Sequence, residues 1–128
     1  MSTRLGRLRG LTNRSCQAFL GVRYGEPPQR FRSPVMAGSW SGILEATRFP
    51  NRAMQVDKAG ILGQKIYGGL SEDCLFLNIY SPVDRGVDLR PVMVWIHGGG
   101  FRGGSANEYD GSVLAPQGNV VVVTLNFR

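Results

Sequence analysis

His97-Gly98-Gly99-Gly100 directly follow the apolar run Val92-Met93-Val94-Trp95-Ile96. A strand that empties into consecutive glycines leaves backbone N–H groups unpaired and turned outward. Such donors, about 2.7–3.1 Å from a developing negative charge, stabilise the tetrahedral intermediate of acyl transfer, and glycine lets the main chain come that close without a Cβ in the way. This is half of an acyl-transfer site. The other half, a nucleophile on a G-x-S-x-G turn, does not occur in the 128 residues. Gly38-Ser39-Trp40-Ser41-Gly42 puts Trp40 at the centre, and Gly103-Gly104-Ser105-Ala106-Asn107 lacks the closing glycine. His97 is the sole histidine, so no Ser/His/acid triad is expected from this chain, and the imidazole reads as a structural group rather than a general base.

Several elements must position that loop. Leu5-Gly6-Arg7-Leu8-Arg9-Gly10-Leu11 and Ala18-Phe19-Leu20-Gly21-Val22, joined by the polar Thr12-Asn13-Arg14-Ser15, predict an opening hairpin. Residues 24–42 hold Pro27, Pro28 and Pro34 and predict an extended surface path. Residues 49–69 show no sustained period and read as loop, with at most a short helical turn. Leu75-Phe76-Leu77-Asn78-Ile79-Tyr80 predicts a strand ended by Ser81-Pro82, and residues 83–90 a polar connection. Residues 92–96 and 120–125 are apolar on both faces, as in mostly parallel sheets covered by helices on both sides, so the fold class is α/β. Between them residues 109–115 predict a short helix, and Pro116-Gln117-Gly118-Asn119 a turn into the last strand. Trp40 and Trp95 are predicted core.

The apolar content of 42% and charged content of 19% fit one modest domain or part of one. The net charge of +6 comes from thirteen Arg and two Lys scattered along the chain, which argues against a nucleic-acid surface. Residues 1–10 contain no apolar segment of the kind that directs export, and no apolar stretch approaches the roughly 18 residues of a membrane span. With Cys16 and Cys74 read as reduced, buried thiols, the expected compartment is the cytoplasm. Cys74 reads as a small buried hydrophobe, not a nucleophile, and Ser71-Glu72-Asp73 as local ion pairing and capping. No metal cluster, phosphate loop or nucleotide signature is present, so no cofactor is expected.

Four segments, in order, resemble the type-B carboxylesterase and cholinesterase family of α/β-hydrolases. They are Phe19-Leu20-Gly21-Val22-Arg23-Tyr24-Gly25-Glu26-Pro27-Pro28, Trp40-Ser41-Gly42, Ser71-Glu72-Asp73-Cys74-Leu75-Phe76-Leu77-Asn78, and residues 91–101; Tyr109-Asp110-Gly111 and residues 120–128 extend the match. The resemblance implies that Gly99 and Gly100 supply oxyanion N–H donors, that Gly98 shapes the turn, and that His97 braces the loop by hydrogen bonding. It implies a third donor from the residue after the nucleophile. It further implies an Arg30–Glu72 ion pair pinning residues 24–42 to the sheet, a pair that counts only if buried. The spacing from the double proline to Arg30 is shorter than usual in the family. Ala53 stands where exported relatives often carry the cysteine that pairs with Cys74, so that disulfide is not expected.

The resemblance makes residues 1–128 the N-terminal portion of an α/β-hydrolase domain, truncated before the nucleophile elbow. The expectation is ester hydrolysis by the full-length protein on a small-molecule carboxylic ester, without nucleic-acid or membrane partners, and inactivity of these residues alone. A non-catalytic interaction module of cholinesterase type, or a vestigial truncated protein, is the alternative. The strands at 92–96 and 120–125 are expected to present apolar faces and an open sheet edge.

Overall fold

A computed structural model describes residues 1–56, 66–83 and 89–128. Among the described residues the strands are β1 (Arg7–Arg9), β2 (Leu11–Thr12), β3 (Cys16–Arg23), β4 (Ile43–Glu45), β5 (Phe76–Pro82), β6 (Val92–Ile96) and β7 (Val121–Leu125), with a 3-10 turn (Ala106–Glu108) and a short helix, α1 (Leu114–Gly118), before β7. The predicted hairpin forms: β2 pairs antiparallel with β3 across the turn at 13–15, where Asn13 Oδ1 accepts the N–H groups of Ser15 and Cys16 at 2.9 and 2.7 Å. Its first arm is split, because β1 leaves the hairpin to pair in parallel with β4. The main sheet runs β2-β3-β5-β7-β6. Its parallel pair is β6–β7, the two strands apolar on both faces, and the pairs before it are antiparallel.

β3 carries a bulge between Phe19 and Val22. Both N–H groups at the bulge are satisfied elsewhere, Leu20 N–H donating to Ala46 O at 2.8 Å and Gly21 N–H to Asn78 Oδ1 at 3.0 Å. It also sends Leu20 to one core cluster, with Cys16, Tyr80, Ala115 and Val122, while Phe19 and Val22 join Leu8 and Ala46 in the other. Both cysteines are buried and unpaired. Residues 24–42 hold no regular element, as predicted, but they do not run extended: a turn closed by Arg32 N–H on Gln29 O at 3.1 Å doubles the segment back, so that Glu26 N–H donates to Val35 O at 2.9 Å and Ala37 N–H to Tyr24 O at 3.0 Å. The reading of residues 49–69 holds for 49–56 and 66–69; residues 57–65 lie outside the described residues, as do 84–88 of the predicted polar connection.

Two further readings need correction. The helix begins at Leu114, not near Tyr109, and includes Pro116 and Gly118. Asp110 Oδ1 accepts Ser112 N–H at 2.8 Å, which spends residues 110–112 on a side-chain-closed turn, and Pro116 is tolerated because the first helical turn needs no N–H from it. Asn119 in the left-handed region then ends the helix. The tryptophans are not core in the sense predicted. Trp40 is half-buried, packed on the second cluster with its Nε1 donating to Arg7 O at 2.9 Å, and Trp95 is 48% exposed. The reason for Trp95 is topological: β6 is the outermost strand, and all five of its residues are exposed. β7 is flanked on both sides and alternates buried with half-buried positions, so of the two apolar strands expected to lie open only β6 does.

Candidate active site

Because β6 and β7 run in parallel with Ile96 opposite Leu125, the residues after them emerge together at one edge of the sheet. His97 is thereby stacked on Phe127, ring centroids 4.4 Å apart and nearly coplanar at 18°, and is 8% exposed. Its Nδ1 lies 2.9 Å from Gly98 O. Its described partners are thus Phe127 and the loop.

The glycine loop folds back on itself. Gly99 (φ +138°) is followed by two left-handed residues, Gly100 (φ +61°) and Phe101 (φ +58°), and Arg102 N–H closes the turn on Gly99 O at 3.1 Å. A bulky residue in that region is strained by roughly 1–3 kcal/mol, and Phe101 is also fully exposed, so the turn is imposed by its surroundings rather than chosen by Phe101. At Gly99 a Cβ would collide with Gly103 O, and at Gly104 (φ +114°) it would strike Gly98 O and come within 2.6 Å of His97 Nδ1. Both positions admit only glycine, because backbone packs on backbone there.

Among the described residues nothing accepts a hydrogen bond from the N–H of Gly99 or Gly100. Together with Gly98 and His97 they line an open cavity of about 630 Å³, whose other walls include Met54, Cys74, Phe101 and Phe127. The four residues singled out from the sequence are therefore in one place, and the two expected donors are unclaimed. Cys74 borders the cavity but is 1% exposed, and burial pushes its thiol pKa up, followed in effect by the Asp73 and Glu72 charges; it stays a neutral thiol.

The expected Arg30–Glu72 pair forms at 2.8 Å with side chains 74% and 47% exposed. In that setting it contributes at most about 1 kcal/mol and does not pin residues 24–42. The work falls to a pair the sequence reading passed over. Arg23 grips Asp73 with both nitrogens at 2.6 and 2.7 Å, its guanidinium lies 4.4 Å over the Phe76 ring, and Asp73 raises the Arg23 pKa further. Tyr24 adds a hydrogen bond of 2.7 Å to Asn126 O.

Under the loop lies a buried polar network that was also missed. Asn126 Oδ1 accepts Ala106 N–H at 2.8 Å and Ser105 Oγ–H at 3.2 Å, and its Nδ2 donates to Asn51 O at 3.0 Å. Asn107 Nδ2 donates to Pro50 O and Tyr67 O, and Asn78 Nδ2 to Thr124 Oγ1 and Asn107 Oδ1. These groups bind the chain that leaves the loop, residues 105–107, to β5, β7 and the 50–51 segment. The visible signal was Asn78, Thr124 and Asn126 interrupting apolar strand runs, since a polar side chain in a buried strand must find a partner.

A mixed sheet whose parallel strands deliver a loop of unclaimed N–H groups to their carboxyl ends is the N-terminal part of an α/β-hydrolase fold. Residues 1–128 match the profile of the Carboxylesterase family, and the chain belongs to that family. It is 41% identical over its whole length to carboxylesterase 3 of Pongo abelii and 39% identical, again over its whole length, to para-nitrobenzyl esterase of Bacillus subtilis. A solved PNB esterase structure superposes on 99% of the chain with a TM-score of 0.87 at 39% identity, using 27% of that chain. The chain spans about a quarter of the length of these relatives (25% and 27%).

The Bacillus enzyme offers a host for stability measurements: a chimera in which residues 1–128 replace its matching segment. In that chimera Asp73→Asn is expected to cost about 1–2 kcal/mol in urea denaturation, the bidentate pair being partly shielded from water, whereas Glu72→Gln costs less than about 0.5 kcal/mol. Equal losses would place the anchoring in the exposed pair instead. Asn126→Ala is expected to cost about 2–3 kcal/mol, because it strands the buried Ala106 N–H and the Ser105 hydroxyl.

Proposed function

We propose that these residues are the N-terminal quarter of a serine carboxylic-ester hydrolase. Gly99 and Gly100 donate their N–H groups to the oxygen of the tetrahedral intermediate, Gly98 shapes the turn, and His97 holds the loop against Phe127. The nucleophilic serine, its histidine and its acid lie outside the 128 residues. The residue after that serine supplies the third donor. The observation that carries the reading is that Gly99 and Gly100, whose N–H groups have no acceptor among the described residues, line a cavity at the carboxyl end of β6. The substrate is a small carboxylic ester, as the names of the related esterases imply. Without the nucleophile the covalent route is closed, so residues 1–128 alone are inert toward esters. The two buried, unpaired thiols suit a reducing compartment, and we place the protein in the cytoplasm.

Two experiments test this reading. Sequencing past codon 128 is expected to show the frame running on into a G-x-S-x-G turn, and the longer product to hydrolyse a p-nitrophenyl ester that residues 1–128 leave untouched. The Bacillus chimera is expected to hydrolyse the same ester, which requires the glycine loop of this chain to serve a serine it does not contain. A folded chimera without turnover would remove the proposal.

A further inference from the structure

Residues 51–56 pass beside the glycine loop, and from them Gln55 reaches across 49 positions of sequence to Gly104. Its Oε1 accepts Gly104 N–H at 2.8 Å, and its Nε2 donates to Gly104 O at 3.0 Å and to Ala53 O at 3.1 Å. One carboxamide thus satisfies both backbone groups of one residue, the two-point pairing that a neighbouring strand would provide, and ties that residue to its own segment. Among the described residues the other side chain that bonds to residues 98–104 is that of the adjoining His97, at Gly98 O.

We infer that Gln55 is the positioning residue of the oxyanion loop: by clamping Gly104 it fixes the direction of the Gly99 and Gly100 N–H groups without consuming either of them. The inference rests on the ester-hydrolase reading given above. The mechanical link is short. Gly103 is pressed so closely against the clamp that a Cβ on it would come within 2.7 Å of Gln55 Oε1, and Gly103 O in turn fills the space beside Gly99 where a side chain would sit. Gly104 is seated on the other side by Gly98 O and His97. A shift of Gly104 therefore moves Gly103 O and releases Gly99. The carboxamide is needed for both halves of the clamp, since a carboxylate offers no donor and an aliphatic chain offers neither donor nor acceptor.

The test compares Gln55→Met and Gln55→Ala with the parent Bacillus chimera, by ester kinetics, by inhibition with phenylboronic acid, which forms a tetrahedral adduct on the serine, and by thermal melting. Gln55→Met keeps the side-chain length and carries the test if Gln55→Ala does not express. The expected result is a fall in kcat of about 10- to 100-fold with KM unchanged, together with a matching loss of boronate affinity, because a small misplacement of donors is felt at the tetrahedral stage and not in ground-state binding. A lower melting temperature with kcat and boronate affinity unchanged would reduce Gln55 to a structural residue and overturn the inference. Gly99→Ala in the same chimera separates the two levels: if it too leaves kcat unchanged, the oxyanion reading itself fails, whereas its loss beside an intact Gln55→Met indicts the clamp alone.

Discussion

Gly99→Ala is expected to lower ester turnover of the Bacillus chimera at least about 100- to 1000-fold, the loss that follows removal of one oxyanion donor. Two causes act together. The new Cβ would meet Gly103 O, and an alanine at φ +138° is strained whatever the space around it. The loop must open, and the N–H groups of Gly99 and Gly100 are displaced. At Gly100 a Cβ meets nothing within 4 Å but φ +61° still strains an alanine, so Gly100→Ala is expected to lower the melting temperature less than Gly99→Ala, which adds the collision with Gly103 O. Assays of kcat/KM and thermal melts on the two variants check this, and full turnover by Gly99→Ala would show that the loop does not hold the oxyanion.

Residues 1–128 expressed alone are expected to self-associate at micromolar concentration, and Val94→Lys to shift them toward monomer. Among the described residues β6 is the edge of the sheet and its far side has no hydrogen-bonding partner strand, and Val92, Met93, Val94, Trp95 and Ile96 are 48–66% exposed with no charge among them. Fully exposed Phe101 extends the apolar surface. A long apolar edge is a template for pairing with another chain, and a lysine within it is one of the devices by which natural sheets prevent that. Sedimentation velocity distinguishes the outcomes; a single monomeric species without the substitution would mean that the edge is shielded in solution.

The site was legible where chemistry is written in consecutive residues. A glycine run after an apolar strand needs little context, and the structure brings His97, Gly98, Gly99 and Gly100 to one cavity. What escaped is whatever depends on partners distant in sequence. Gln55 stands in a stretch without periodicity, and nothing at positions 53–55 announces a bond to Gly104. Arg23 and Asp73 are 50 positions apart and compete on paper with Arg30 and Glu72; only exposure separates the shielded pair from the open one. The hairpin and β5 were readable from alternation and turn residues, while α1 was displaced because the turn closed by Asp110 looks helical in sequence. Trp95 was misread for a related reason: residue type says apolar strand, but only the strand order says edge.

The supports of the loop also bear on the order in which the chain can mature during synthesis. His97 rests on Phe127, and residues 105 and 106 hang from Asn126, so the segment that precedes β7 is held by residues that follow it. A ribosome that has released residue 104 has delivered every glycine of the loop and neither of these anchors. The glycine loop is therefore a late structure, closing only when β7 has been threaded beside β6 and β5. A nascent chain paused between positions 104 and 126 would expose a glycine segment open to proteases, and codon choice across that interval becomes a variable in the yield of active protein.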